Sequence, residues 1–185
     1  MPSKLHINEA CRALAAGGIV AYPTEAVWGL GCEPLNEHAC LKLMLLKRRS
    51  DSKGFILIAS DFEQLAPYLA QVPPKKLDAA LATWPGPATW IVPASAHVPR
   101  WLTGGRDALA VRVTAHPVAS ALCRAYGGPL VSTSANVSGR PPARSALQVR
   151  AKLGHGLAYV LAGELGGRSA PTPIRDLMTG KLLRA

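Results

Sequence analysis

Three groups of side chains have the types and spacing that chemistry on anions requires. The first is Ser132-Thr133-Ser134-Ala135-Asn136-Val137-Ser138-Gly139, which follows the apolar run Gly128-Pro129-Leu130-Val131. Side chains alternate along an extended chain, so Ser132, Ser134 and Asn136 share a face of two hydroxyls and a carboxamide. Such a row hydrogen-bonds phosphate oxygens or a carboxylate without adding charge. The same composition also suits turn chemistry alone. The second group, Lys47-Arg48-Arg49, closes a helical pattern. Cations there complement the helix dipole, but Lys47 and Arg49 project together only once the chain is extended. The third is Arg112, in the middle of the alternating strand Leu109–Thr114. An unpaired Arg is expensive to bury. Either its face is solvated or it meets an anion, and the small neighbours Ala110 and Thr114 leave room for one.

Alternating helices and strands must position these groups. Asn8 caps an expected first helix running to about Ala16, stopped by Gly17-Gly18. Ile19-Val20-Ala21-Tyr22 reads as a buried strand that delivers the loop Pro23-Thr24-Glu25-Ala26-Val27-Trp28-Gly29-Leu30-Gly31. That loop is no dinucleotide fingerprint, because the third glycine is absent. Asn36 caps a helix from about Glu37 to Lys47, with Leu41, Met44 and Leu45 as its expected core stripe. Phe55–Ala59 is apolar on both faces, as expected of a central strand. Ser60-x-x-Glu63 reads as a capping box opening a helix that ends near Pro67, and another helix spans about Lys75–Thr83. Trp84-Pro85-Gly86-Pro87 is a rigid turn into the strand Trp90-Ile91-Val92. A helix over 116–126 precedes the serine-rich stretch. Arg140–Arg144 is a stiff basic loop, Ser145 caps a helix to about Leu153, and 157–161 is a strand. Residues 171–177 and 181–184 form a hairpin around Thr179-Gly180. In an open α/β sheet ligands sit beyond the carboxyl ends of strands, which is the expected place for the serine-rich segment.

Composition sets the bounds. The chain has 185 residues, enough for one domain, and 49% of them are hydrophobic, so a sizeable core is expected rather than disorder. No apolar run has membrane-spanning length and no signal-peptide pattern opens the chain, which reads as a cytoplasmic protein. The four cysteines form no C-x-x-C pair and the five histidines no metal spacing, so the cysteines read as reduced thiols and no metal is assigned. With 21 Lys+Arg against 11 Asp+Glu, the net charge of +10 points to polyanionic partners or to plain solubility.

The motifs taken together resemble the YrdC/TsaC family, the threonylcarbamoyl-adenylate synthases of tRNA modification. The resemblance rests on Tyr22-Pro23-Thr24-Glu25 with Gly29-Leu30-Gly31, Lys47-x-Arg49, Trp84–Thr89, Ala110-Val111-Arg112-Val113, Ser132–Asn136 with Ser138-Gly139, Thr172-x-Ile174-x-Asp176 and Arg184. It implies a single YrdC-like domain over 1–185, like the single-domain bacterial form. The implied fold is α/β, an open twisted sheet of mixed parallel and antiparallel strands with flanking helices. The implied enzyme is a nucleotidyltransferase that joins L-threonine, bicarbonate or CO₂ and ATP into threonylcarbamoyl-AMP and pyrophosphate. Its product serves N6-threonylcarbamoyladenosine (t6A) at position 37 of tRNAs reading ANN codons, through a complex of TsaB, TsaD and TsaE type. By the same resemblance Lys47, Arg49, Ser134 and Asn136 are catalytic and nucleotide-binding, with Arg184 also on the nucleotide. Thr24, Arg112, Ser132 and Thr172 hold threonine, and Thr172 and Arg184 close over the ligands. Trp28 and the 140–144 loop are candidate walls. Mg²⁺ arrives with the triphosphate, and Glu25 has no assigned role. Two positions depart from the family pattern: Ser50 stands where many relatives carry Pro, and Pro142 where longer relatives place a nucleotide-contacting Ser.

A rival reading takes the +10 charge alone: a double-stranded RNA- or tRNA-binding protein acting through a basic concave surface. It predicts affinity that falls steeply with salt, although no aromatic-rich RNA-binding motif is present. A third reading, a carbamoyl-handling domain as in hydrogenase maturation proteins, lacks the zinc-type cysteine pairs of those proteins.

Overall fold

Among residues 1–184, which the computed structural model describes, helices and strands alternate much as the apolar periodicity requires. Ala185, the last residue of the expected domain, lies outside the described residues. The helices are α1 (Lys4–Ala15), α2 (Glu37–Lys47), α3 (Pro74–Leu81), α4 (Arg100–Thr103), α5 (Pro117–Tyr126) and α6 (Ala146–Leu153). The strands are β1 (Val20–Pro23), β2 (Trp28–Gly31), β3 (Ile56–Ala59), β4 (Thr89–Pro93), β5 (Ala108–Val113), β6 (Leu130–Ser134), β7 (Tyr159–Val160), β8 (Ile174–Asp176) and β9 (Leu182–Arg184). They form one mixed sheet in the order β7-β1-β2-β6-β3-β5-β4-β8-β9. The pairs β1–β7, β3–β5 and β4–β8 are parallel and the other neighbours antiparallel.

Both faces of the sheet are apolar, and each packs on its own helices. One face carries Ala21, Leu30, Leu57, Val111 and Val131 in a core shared with α2 and α6. The other carries Val20, Tyr22, Ile58 and Leu130 against Ile7, Ala10 and Leu14 of α1 and Val118, Ala119 and Leu122 of α5. The second face is covered only in part, and that is what makes room for a site. The glycines of Gly29-Leu30-Gly31 serve this packing. A Cβ on Gly31 would lie 2.8 Å from the Tyr22 ring, so glycine lets the ring lie flat on the neighbouring strand.

Four local expectations are corrected. Trp28–Gly31, expected as the end of a loop, is strand β2, paired antiparallel with β1 and β6. Helix α1 starts earlier, because the Ser3 side chain accepts from the His6 amide and leaves Asn8 exposed inside the helix. Helix α2 is capped by Asn36 as expected, with Asn36 Oδ1 accepting from the Ala39 amide at 3.0 Å. However, it buries Ala39, Cys40, Leu43 and Met44, while Leu41 and Leu45 are exposed. The segment is apolar all round, so periodicity could not choose its buried face. No helix follows Ser60. Its amide donates to Gln64 Oε1 at 3.0 Å and Gln64 N donates to Asp61 Oδ1 at 3.1 Å, closing a turn. Only a short 3₁₀ turn, Ala66–Tyr68, precedes the next segment.

Candidate active site

Where α1 and α5 leave the sheet face bare, a cleft of about 700 Å³ opens. Register places its floor. Gly29 pairs with Ser134, Ile56 with both Ser132 and Ala110, and Ala110 with Ile91. Side chains paired across strands share a face, so these residues lie on the half-covered face with Tyr22, Ile58 and Leu130. Glycine and alanine at several floor positions keep it open. The expectation of a site beyond the strand carboxyl ends is thereby corrected. Strand β6 runs antiparallel to β2 and β3, so the sheet has no common carboxyl edge here and the ligand surface is the face itself.

Of the residues expected at the site, Thr24, Arg49, Arg112, Ser132, Ser134, Asn136, Thr172 and Arg184 all line the cleft. Strand β6 ends at Ser134, and Asn136 returns to the same side through a turn. Ser134 Oγ donates to Asn136 Oδ1 at 2.6 Å, and Asn136 Nδ2 donates to the Arg140 carbonyl at 2.7 Å. The amide is thus oriented before any ligand arrives. Trp28 and Pro142 form part of the wall, joined by the Trp28 amide donating to the Ala143 carbonyl.

Lys47 is placed differently from the expectation. It is the last residue of α2 and 2% exposed, and it does not line the cleft. Its Nζ donates to the Ser134 and Asn136 carbonyls, the latter at 2.7 Å, and its own carbonyl accepts from Ser138 N. It therefore braces the serine-asparagine turn from behind. Burial, and then the neighbouring Arg49, pull its ammonium down from 10.5 to about 7. Arg48 adopts the left-handed conformation (φ 48°) as the helix C-cap, which sends Arg49 away from Lys47. The two cations do not project together. The Arg49 guanidinium donates to the Gly54 carbonyl at 2.7 Å and lies 5.5 Å from the Phe55 ring centroid. Burial, then Arg106, lowers its pKa.

Arg112 is 6% exposed and does meet an anion inside the protein. Its Nη2 lies 3.5 Å from Glu25 Oε2, and its Nη1 donates to Thr172 Oγ1 at 3.0 Å. Thr172 is held in turn by Thr89 and by Arg184, which donates to the Thr172 carbonyl at 2.8 Å. Thr24 Oγ1 donates to the Val27 carbonyl at 2.7 Å, so the hydroxyl is left with acceptor capacity only.

Two cations that sequence reading missed also line the cleft, Lys53 and Arg106. Arg106 Nη2 donates to the Ser52 carbonyl at 2.8 Å. A signal for it was present in Gly104-Gly105 just ahead of β5. Gly104 has φ 67°, and a Cβ there would meet the Gly54 nitrogen at 2.6 Å. Two loops therefore press together and bring Arg106 beside Arg49. Among the described residues no group of three or more His, Cys, Asp or Glu is placed to hold a metal ion. No helix of the described residues is long and apolar enough to cross a membrane.

Comparison with known proteins shows the family and the fold. A family model for Sua5, YciO and YrdC, described as telomere recombination, matches residues 12–185. The threonylcarbamoyl-AMP synthase of Halorhodospira halophila is 56% identical over 178 residues, covering 96% of this chain and 93% of that protein. The threonylcarbamoyl-AMP synthase of Xanthomonas campestris pv. campestris is 52% identical over 186 residues and the full length of both chains. The crystal structure of P. abyssi Sua5 complexed with L-threonine superposes with a TM-score of 0.90 at 34% identity. That match covers 96% of this chain and 53% of the Sua5 chain, so the chain spans about half the length of that protein.

Proposed function

The chain belongs to the Sua5, YciO and YrdC family, and from that premise we propose that it is a threonylcarbamoyl-AMP synthase. In this reading it consumes L-threonine, bicarbonate or CO₂ and ATP, and releases pyrophosphate. The observation that carries the reading is the make-up of the cleft. Among the described residues it is lined by five cationic side chains, Arg49, Lys53, Arg106, Arg112 and Arg184, by the hydroxyls and amide of Ser132, Ser134 and Asn136, and by no carboxylate. That is a surface for a polyanion and a carboxylate side by side.

The strand register supports a division of labour. Arg112 lies opposite Ile58 and Ser132 opposite Ile56; Thr172 joins them through its hydrogen bond to Arg112, and Thr24 through Glu25, the next residue, whose carboxylate faces Arg112. Together they hold the threonine carboxylate and orient the amine. Ser134 and Asn136 lie toward the Arg49 and Arg106 end, where they meet the triphosphate, with Arg184 closing from the β8–β9 hairpin. The threonine amine captures CO₂ as a carbamate. A carbamate oxygen then attacks the α-phosphorus, the bond to the β,γ-diphosphate breaks, and Arg49 with its neighbours stabilises the departing charge. No side chain is needed as a nucleophile; positioning and charge supply the catalysis. Lys47 acts by holding the Ser134–Asn136 turn. The donors of the cleft suit phosphate oxygens rather than a metal, so Mg²⁺ belongs to this reading as the counterion that ATP carries, where it neutralises charge on the triphosphate.

The product is a labile mixed anhydride, and its acceptor in this reading is a t6A-forming complex of TsaB, TsaD and TsaE type in the cytoplasm. Direct contact with tRNA through the cationic rim belongs to the same proposal. The testing measurement is pyrophosphate release by the pure protein with ATP and Mg²⁺, omitting L-threonine and bicarbonate in turn, with the downstream proteins added as acceptors. Release that needs both substrates is expected. Release indifferent to threonine would overturn the reading.

A further inference from the structure

Glu25 is the acidic residue of the Tyr22–Glu25 motif, and it does not line the cleft. It is 7% exposed and sits directly behind Arg112. Thr114 Oγ1 donates to its Oε1 at 2.7 Å, and the Thr114 hydroxyl in turn accepts from the His116 amide. Its Oε2 faces Arg112 Nη2 at 3.5 Å and has no hydrogen-bond partner, nor has Arg112 Nε. Its backbone carbonyl accepts from Arg168 N, and that of Thr24 from Gly166 N, so the same loop also anchors the segment leading to Thr172. The carboxylate is fixed from one side and faces a guanidinium whose other edge is fixed by Thr172. This is a buried pair with one unspent nitrogen, next to an open cleft.

The geometry points to Glu25 as a positioning residue: it holds the Arg112 guanidinium in the orientation that presents its fork to the carboxylate of the amino-acid substrate. This deepens the proposed function and rests on it. Two effects compete, and they differ in sign. By charge alone, removing a negative group beside Arg112 should tighten its hold on a substrate carboxylate. By positioning, the guanidinium loses its counter-charge, leaves its place, and substrate carboxylate binding weakens. The second effect dominates here, because Arg112 is buried and Thr172 is its only hydrogen-bond acceptor among the described residues. A mobile guanidinium forfeits the bidentate geometry that makes such contacts strong.

The test is threonine- and ATP-dependence of pyrophosphate release, with calorimetric L-threonine binding, for wild type, Glu25→Gln, Arg112→Gln and the double variant. Glutamine keeps the volume and an acceptor for Thr114 but not the charge. Expected is a rise of about tenfold in half-saturating threonine for Glu25→Gln, the scale of losing an orienting partner at a buried charge, with the ATP requirement unchanged. The double variant should be no worse than Arg112→Gln alone, because Glu25 acts through Arg112. Thr114→Val, which unfastens the carboxylate, should move threonine in the same direction by less. It also carries the test if Glu25→Gln fails to fold. Tighter or unchanged threonine binding in Glu25→Gln overturns the role. So does an equal loss for ATP and threonine, or additivity with Arg112→Gln. A wild type that neither binds threonine nor needs it would sink the functional reading, and this role with it. A working wild type matched by its Glu25→Gln variant sinks the role alone.

Discussion

The two ends of the cleft use arginine in opposite ways. At the deep end Arg112 is buried, faces Glu25 and is tied to Thr172. At the mouth Arg49 and Arg106 have no carboxylate partner among the described residues; their guanidiniums rest on the backbone carbonyls of Gly54 and Ser52. A carbonyl orients a cation without cancelling its charge, whereas a carboxylate cancels it. The mouth therefore keeps a net positive field for a multiply charged group. The deep end offers little net charge but a fixed geometry. Affinity for polyanions should come from the first and selection of a small carboxylate from the second.

Breaking each end separately should expose this contrast. The largest effect is expected at the mouth. Arg49→Ala should lower the rate of pyrophosphate release about 10²- to 10³-fold, the usual cost of removing a donor to developing charge, while calorimetry still detects L-threonine. A variant with normal turnover would end the distinction. At the deep end, Arg112→Gln should raise half-saturating threonine by about 10- to 150-fold, as for loss of a charge-assisted hydrogen bond worth about 1.5–3 kcal/mol, and leave the ATP requirement nearly alone. Steady-state titration of each substrate would show a mixed effect if the ends were not separate.

A third prediction concerns Lys47, which belongs to neither end. Its folded pKa of about 7 lies below the unfolded value of 10.5. Between these the unfolded chain holds a proton that the fold has lost, so this residue makes stability rise with pH across that window. Below pH 7 both states are protonated and the cost of burying the cation is fully present. The melting temperature of wild type should therefore gain, relative to Lys47→Met, between pH 7 and pH 10. Parallel melting curves would show that the ammonium is not penalised by burial. The smallest effect is a control at the far end of α2. Asn36→Ala should cost about 1 kcal/mol of stability through the lost cap, seen in denaturant unfolding, with both substrate requirements unchanged.

How much of this was legible in the sequence depends on whether local chemistry or packing decided it. Apart from β2, which read as loop, the strands, the Asn36 cap and the β8–β9 hairpin follow from apolar runs and turn residues, and the structure contains them. Eight of the nine residues expected at the site line the cleft, because they sit either in turns or at strand positions whose alternation fixes the face they share. Lys47 escaped because the left-handed Arg48 separates it from Arg49, and no propensity rule predicts a left-handed arginine. Leu41 and Leu45 escaped because α2 is apolar all round. Arg106 and Lys53 escaped because their place depends on two loops meeting through Gly104 and Gly54. Glu25 was visible as the one carboxylate of its loop, but its partner lies 87 positions away along the chain.

The floor of the cleft is the sheet itself, which has a consequence for motion. Strands β3, β5 and β6 are each paired on both sides, so their amides should exchange with solvent only on global opening. The rim consists of the 50–54 turn, the loop carrying Arg106 and the segment ending at Thr172, all of which lie outside the strands. Substrate binding should then slow amide exchange around the rim and leave the floor strands untouched, so that the ligand meets a rigid plate and organises a soft edge.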